Sequence, residues 1–217
     1  SSGALIAAFY RNYCPSPLVE TDNKSLLELK ELFSILESYF HGTSSGMDPL
    51  NCYVGEPLLF EGKKHAQIID VPNQENNENG AVFLINSGYP AATEPLVKLF
   101  LSKIENKKFH DSIHEVLIPL TNSSIDDIIK SNLNSFFSGL EKLSEFQFMN
   151  FKEMIPGKFT EIWQQGLQSG EFYLKLCGSG GGGFILGFTR DYSIAEKLVA
   201  DAGIDIIPVY KNSFFRK

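Results

Sequence analysis

Two stretches of this 217-residue chain concentrate residue types that do chemistry. The first is CGSGGGGF, Cys177 to Phe184, with five glycines in the six positions from Gly178 to Gly183. It lies between two hydrophobic, strand-like segments, where a flexible interdomain linker has no place. Glycine there permits positive φ and close approach of a ligand to the backbone. Successive N–H groups in such a loop can converge on phosphate oxygens. The bland counterpart is a tight turn, but the run holds more glycine than a turn requires. It is neither a P-loop, since no Gly-Lys-Ser/Thr follows, nor a dinucleotide fingerprint, since it leads into a strand and not a helix.

The second stretch is HGTSSGMDP, His41 to Pro49, which sets Asp48 behind two serines and Gly46. A carboxylate held beside a polyphosphate can orient or deprotonate a substrate hydroxyl. Read alone, Asp48 is better explained as a turn or helix-capping residue. Glu37 precedes it by eleven positions, near the end of a helical stripe. A carboxylate there opposes the helix dipole unless a cation offsets it, and phosphate-bound magnesium is the natural one. Without such a cation, Glu37 reads as a solvated surface residue.

These residues need a scaffold, and the composition allows one. The chain is 43% hydrophobic and 12% aromatic, including 18 Phe, which excludes a disordered or low-complexity polypeptide. A formal net charge of -7 argues against nucleic acid and anionic membranes as partners. It leaves room for a polyphosphate, which oriented N–H groups and a metal can hold. Three scattered cysteines, Cys14, Cys52 and Cys177, form no disulfide framework and no zinc knuckle, so a reducing cytoplasm is expected. No apolar run reaches membrane-spanning length.

Periodicity predicts helices over 4–13 and 25–40, the second with Ser25 as N-cap. Strands are expected at 57–60, 66–71 and 81–85, with the Asn-rich tract 73–80 as a hairpin loop between the last two. Helices follow over 93–104, within 111–151 and over 156–167. The end alternates: strand 172–176, the glycine run, strand 184–188, helix 193–202 and strand 204–207. Pro208 either ends that strand or marks it as an edge. The pattern indicates an α+β sandwich with helices on a mainly antiparallel sheet.

Taken together, the motifs resemble those of the GHMP small-molecule kinases, most of all the mevalonate-kinase type. HGTSSGMDP is similar to the motif H-G-x-P-S-G-x-D, with Ser44 in place of proline. KLCGSGGGGF is similar to K-L-T-G-A-G-G-G-G. SSGALIAAFY resembles the end of the ATP-binding motif P-x-G-x-G-L-G-S-S-A and its following helix. NSGYPAAT, Asn86 to Thr93, resembles the segment ending in a substrate-side threonine.

The resemblance implies a catalytic Asp48, a magnesium site of Glu37 and Ser2, and substrate contacts at Thr93 and Gly46. It also implies ATP contacts by Ser1, Ser2, Gly178, Ser179, Gly180, Gly181 and Gly182. The cofactors implied are ATP and Mg2+. The reaction is γ-phosphoryl transfer to a primary hydroxyl of a small metabolite such as mevalonate, by a monomer or homodimer. Galactokinase, phosphomevalonate-kinase and homoserine-kinase types, the related decarboxylase and a non-catalytic binding module are the alternatives.

The fold implied is GHMP kinase-like. Residues 1–92 would be the remainder of an N-terminal ATP-binding domain like the second domain of a small-subunit ribosomal protein. Residues 93–217 would be a ferredoxin-like C-terminal sandwich. The chain begins inside the ATP motif, so it is expected to be the later part of a kinase and not to bind ATP normally alone.

Other constellations carry less. His110 and His114 stand one helical turn apart but lack a recognisable third ligand. Cys177 has no histidine neighbour in sequence and reads as strand-end packing. Trp163 and the run Phe136, Phe137, Leu140 and Phe146 read as core. Mevalonate's carboxylate would need a cation, and the arginines available are Arg11, Arg190 and Arg216.

Overall fold

In the computed structural model the described residues are 2–42, 44–69, 80–88 and 93–211. The chain divides into two units, Ser1–Asp70 and Val71–Lys217.

The first unit begins with α1 (Ser2–Tyr13), α2 (Asn23–His41) and α3 (Met47–Val54). Asp22, not Ser25, caps α2: its carboxylate accepts the N–H groups of Lys24 and Ser25. An aspartate just outside the first turn outcompetes a serine already inside it, because only the outer position faces the free N–H groups. The apolar faces of the three helices meet at Ile6, Leu26, Leu29, Phe33 and Leu50. Tyr10, Phe33 and Tyr53 pack edge to face there, with centroids 5.2 to 5.5 Å apart. The two tyrosine hydroxyls also hold the connecting chain, Tyr10 accepting from Leu18 N–H and Tyr53 donating to Leu18 C=O.

The expected hairpin is displaced. Strands β1 (Leu58–Glu61) and β2 (His65–Ile68) pair with each other around Gly62, which has φ +67°. The strand expected to complete the hairpin with β2 pairs elsewhere. Most of the Asn-rich tract lies outside the described residues.

That strand, β3 (Ala81–Asn86), belongs to the four-stranded sheet of the second unit. The other strands are β4 (Phe172–Leu176), β5 (Phe184–Thr189) and β6 (Ile206–Lys211), in the order β4-β5-β3-β6, all antiparallel. β3 is central because its pattern is almost continuously buried, as a strand covered on both faces requires. Pro208 lies inside β6, which is an edge strand with a register shift at Val82/Phe83. There proline's missing N–H costs the ladder little.

The helices are α4 (Thr93–Ile104), α5 (Lys107–Ser112), α6 (Ile118–Ile129), α7 (Leu133–Asn150), α8 (Thr160–Ser169) and α9 (Tyr192–Asp201). A π turn, Ile113–Leu117, joins α5 to α6 just before Pro119, whose ring carries no N–H for the carbonyl one turn back. Phe83, Ile85, Phe172, Leu174 and Ile185 form one core with Phe159, Ile162, Trp163 and Val199. Val82, Tyr173 and Phe188 form another with Phe136, Phe137, Leu140 and Leu143 of α7. Trp163 is fully buried and donates its indole N–H to Ser144 Oγ at 2.9 Å, so these aromatics are core as expected. No described helix is long and apolar enough to cross a membrane.

Candidate functional site

In the first unit the expected site residues come together at one end of the three-helix layer. Glu37 lies one turn before the end of α2, yet it is only 7% exposed. The expectation of a solvated side chain is wrong, and hydroxyl groups are the physical reason. Ser2 Oγ donates to Glu37 Oε1 at 2.8 Å, and Ser44 Oγ donates to Oε2 at 2.5 Å. Each carboxylate oxygen thus accepts a hydrogen bond, which a buried charge requires.

Asp48 is not in a loop. It occupies the first turn of α3, exposed, where the positive end of the helix dipole favours a carboxylate. Gly46 caps that helix with φ +71° and rests on α2: a Cβ there would fall 2.0 Å from the carbonyl oxygen of Lys30. No side chain fits, so glycine is needed for space as well as conformation. Gly3, next to Ser2, lies against the other side of the same turn. A Cβ on Gly3 would stand 2.9 Å from Pro49 N and 3.2 Å from Asp48 Cβ. Ser2, Glu37, Gly46 and Asp48, scattered over 47 positions, are therefore neighbours or one contact apart.

Sequence reasoning missed Ser44 and Ser34. The sequence marks Ser44 only as one of two serines ahead of Gly46 and as a departure from proline, and it does not mark Ser34. Ser34 Oγ donates to the Ser44 carbonyl at 2.6 Å, and Ser44 Oγ accepts from Gly46 N–H at 3.0 Å. The available signal was Ser34 at i−3 from Glu37, on the same face of a helix that ends next to a serine pair.

In the second unit the glycine run joins β4 to β5 as an irregular loop. Gly178, Gly180, Gly181 and Gly183 all have positive φ. Gly180 is packed so closely that a Cβ would fall 2.6 Å from the Met154 carbonyl oxygen, which also accepts the N–H of Gly181 at 2.6 Å. One end of the run is tied to β3, where Ser87 N–H donates to the Gly183 carbonyl at 2.7 Å. A mostly apolar cavity of about 430 Å³ opens beside Gly178 and Ser179, lined by Leu96, Phe100, Phe151, Met154 and Leu176. Gln147 also lines it, with its amide oxygen accepting Leu176 N–H. No sequence signal had marked this cavity, because its lining comes from four separate segments.

Lys175 and Cys177 flank Leu176 at the start of the run. Burial pushes the Lys175 ammonium below its usual range, and its Nζ donates to the Leu176 carbonyl at 2.8 Å. Burial pushes the Cys177 thiol up, which suits a packed strand end and not a nucleophile. Two arginines weighed for a substrate carboxylate have other partners. Arg11 donates to the Tyr53 carbonyl and lies over the Tyr53 ring, and Arg190 lies 4.2 Å from the Phe137 ring centroid. His110 and His114 stack at 4.3 Å on the surface of α5 and the π turn. Among the described residues, no group of three or more His, Cys, Asp or Glu is placed to hold a metal.

Ser1 and Arg216 lie outside the described residues, as do residues 89–92 of the acceptor segment. Thr93 opens α4 as expected, though its side chain is not among those described. Glu37 with Ser2 and Ser44 is an all-oxygen donor set containing one carboxylate. That suits Mg2+, which takes one or two protein carboxylates and draws its other ligands from phosphates and water.

No family model and no curated protein matches this sequence. Solved structures do match in fold. L. major mevalonate kinase, solved in complex with R-mevalonate, aligns at TM-score 0.67 and 15% identity over 93% of this chain and 60% of its own. The Lin0012 protein from Listeria innocua aligns at 0.67 and 18% identity over 95% and 63%. Streptococcus pneumoniae phosphomevalonate kinase, in complex with phosphomevalonate and AMPPNP, aligns at 0.63 and 15% identity over 85% and 61%. The chain spans about three-fifths of the length of these structures. Its α+β fold is similar to those of a mevalonate kinase and a phosphomevalonate kinase over most of its length, at low sequence identity.

Proposed function

We propose that this chain is part of an ATP-dependent small-molecule kinase of the GHMP type, with mevalonate the first acceptor to test. The observation that carries this reading is the Ser2–Glu37–Ser44 hydrogen-bond cluster, with Gly3 packed against Asp48 beside it. It joins a carboxylate suited to a metal with an exposed carboxylate suited to a hydroxyl proton, on adjacent helix ends. Similar folds in a mevalonate kinase and a phosphomevalonate kinase add support.

In the proposed reaction the acceptor hydroxyl oxygen forms a bond to the γ-phosphorus as the bond from that phosphorus to the bridging oxygen breaks. ADP leaves with the bonding electron pair. Asp48 orients the hydroxyl and takes its proton. Glu37 and Ser2 would hold Mg2+, which when bound neutralises charge on the nucleotide phosphates. The N-terminal N–H groups of α1 would face phosphate oxygens, where the helix dipole favours negative charge.

A coupled ADP-release assay on the full-length protein tests this, with mevalonate, phosphomevalonate, galactose and homoserine as acceptors. Turnover with one acceptor above the acceptor-free rate is expected, with mevalonate preferred. Background rates with all four would overturn the proposal.

A further inference from the structure

We propose that Ser44 is a positioning residue that orients the Glu37 carboxylate and links it to the helix carrying Asp48. This inference rests on the reading of Glu37 as a metal carboxylate. A single hydroxyl makes both links: it donates to Glu37 Oε2 at 2.5 Å and accepts from the N–H of Gly46, the residue that caps α3. Ser44 is in turn fixed to α2, since its carbonyl accepts from Ser34 Oγ at 2.6 Å. α2 therefore touches Ser44 at two points, Ser34 and Glu37, three residues apart on one face.

The rest of the segment has little freedom to compensate. Gly46 is wedged on the Lys30 carbonyl and Ser34 N, leaving no room even for a methyl group. Asp48 is backed by Gly3. The Ser44 side chain is thus the adjustable link between Glu37 and the first turn of α3. Glu37 has two carboxylate oxygens, one held by Ser2 and the other by Ser44. With both held, the carboxylate plane is set. With Oε2 released, the carboxylate can rotate about its last bond while Ser2 holds only one end. The proline found at this position in the resembling motif can neither donate nor accept through its side chain. This chain therefore has a second hydroxyl on Glu37 that the motif lacks.

The test is Mn2+ titration in the presence of ADP, followed by electron paramagnetic resonance, on the full-length protein and its variants. Ser44→Ala should weaken Mn2+ binding by about tenfold, as loss of a group that orients a metal ligand does. Ser44→Thr, which keeps the hydroxyl, should stay within about twofold of the parent. In the ADP-release assay Ser44→Ala should raise the Mg2+ concentration needed for half-maximal turnover and leave the acceptor KM unchanged. A purely structural role would not separate these two readouts. Should Ser44→Ala fail to fold, the near-isosteric pair Ser44→Thr and Ser44→Val decides through the same tenfold gap. Parental Mn2+ affinity in Ser44→Ala or Ser44→Val, with Glu37→Gln weakened, overturns the role of Ser44. Parental affinity in Glu37→Gln as well overturns the metal reading of Glu37, and the proposal with it.

Discussion

Gly3, at the start of α1, lies directly against the peptide joining Asp48 to Pro49, leaving no room for a Cβ: it would stand 3.0 Å from the Asp48 carbonyl carbon and 2.9 Å from Pro49 N. The beginning of one helix thereby sets the position of a carboxylate on another. Gly3→Ala should lower turnover at least tenfold by displacing the first turn of α3. The clash should also cost about 1–3 kcal/mol of stability, as overpacking does. Steady-state kinetics and thermal melts on one preparation will separate the displaced carboxylate from a merely reduced folded fraction. Parental turnover in Gly3→Ala would mean that the turn yields without consequence.

Asp48 is exposed and caps nothing, so Asp48→Ala should leave the melting temperature within a degree or two of the parent. Turnover should fall about 10²-fold or more if the group positions the acceptor hydroxyl and takes its proton. Full turnover in that variant would remove Asp48 from the mechanism.

Glu37 allows a two-variant test. Glu37→Ala removes the acceptor of the half-buried Ser2 and Ser44 hydroxyls, and should cost about 1 kcal/mol per lost hydrogen bond in urea unfolding. Glu37→Gln keeps an acceptor and should fold close to normally, while needing far more Mg2+ for half-maximal turnover. Equal stability of the two variants would show that the hydroxyls find other partners.

The buried Trp163 indole N–H is shared between Ser144 Oγ at 2.9 Å and the Ser144 carbonyl at 3.3 Å. Trp163→Phe takes the indole donor from the buried Ser144 hydroxyl and opens a void in the core of the second unit. A loss of about 2–4 kcal/mol is expected from the combined effects, measurable by chemical denaturation.

The cap of α2 gives a pH signature. The N–H of Ser25 first, with its hydroxyl and Lys24 N–H, holds the Asp22 carboxyl below its ordinary value. A depressed folded-state pKa means the cap stabilises fully above the unfolded value of 3.8, and the gain is lost as pH falls through the folded value. Asp22→Ala should therefore melt lower than the parent at neutral pH, with the gap closing as the pH falls below that range. A gap that is constant from pH 7 to 2 would contradict an ionised cap.

The elements were legible where periodicity was strong. α4 was read at its observed boundaries, as were β4 and the α+β architecture, because alternation and 3.6-residue stripes mark surfaces that must be buried. The partner of β3 was not legible. Its neighbours in the sheet come from residues 184–189 and 206–211, about 100 and about 125 positions away. Local pattern suggested the nearer β2, and nothing in a single strand encodes which edge it will join. The helix containing Asp48 was hidden too, because Gly46 and Pro49 read as loop residues. In fact Gly46 is the left-handed cap of α3, and Pro49 sits in the first turn, where its missing N–H is no loss.

By itself the sequence determined the chemistry available: a carboxylate behind a glycine, a second eleven residues upstream, paired serines, and a run of glycines between strands. Residue types and spacing carry that information, because they dictate which groups can donate, accept or approach. Only the tertiary structure decided what those groups do for one another. Glu37 is buried because Ser2, 35 positions away, and Ser44, seven away, both give it a hydrogen bond. No local rule predicts that, because the free energy of burying a carboxylate depends on donors that folding alone brings to it.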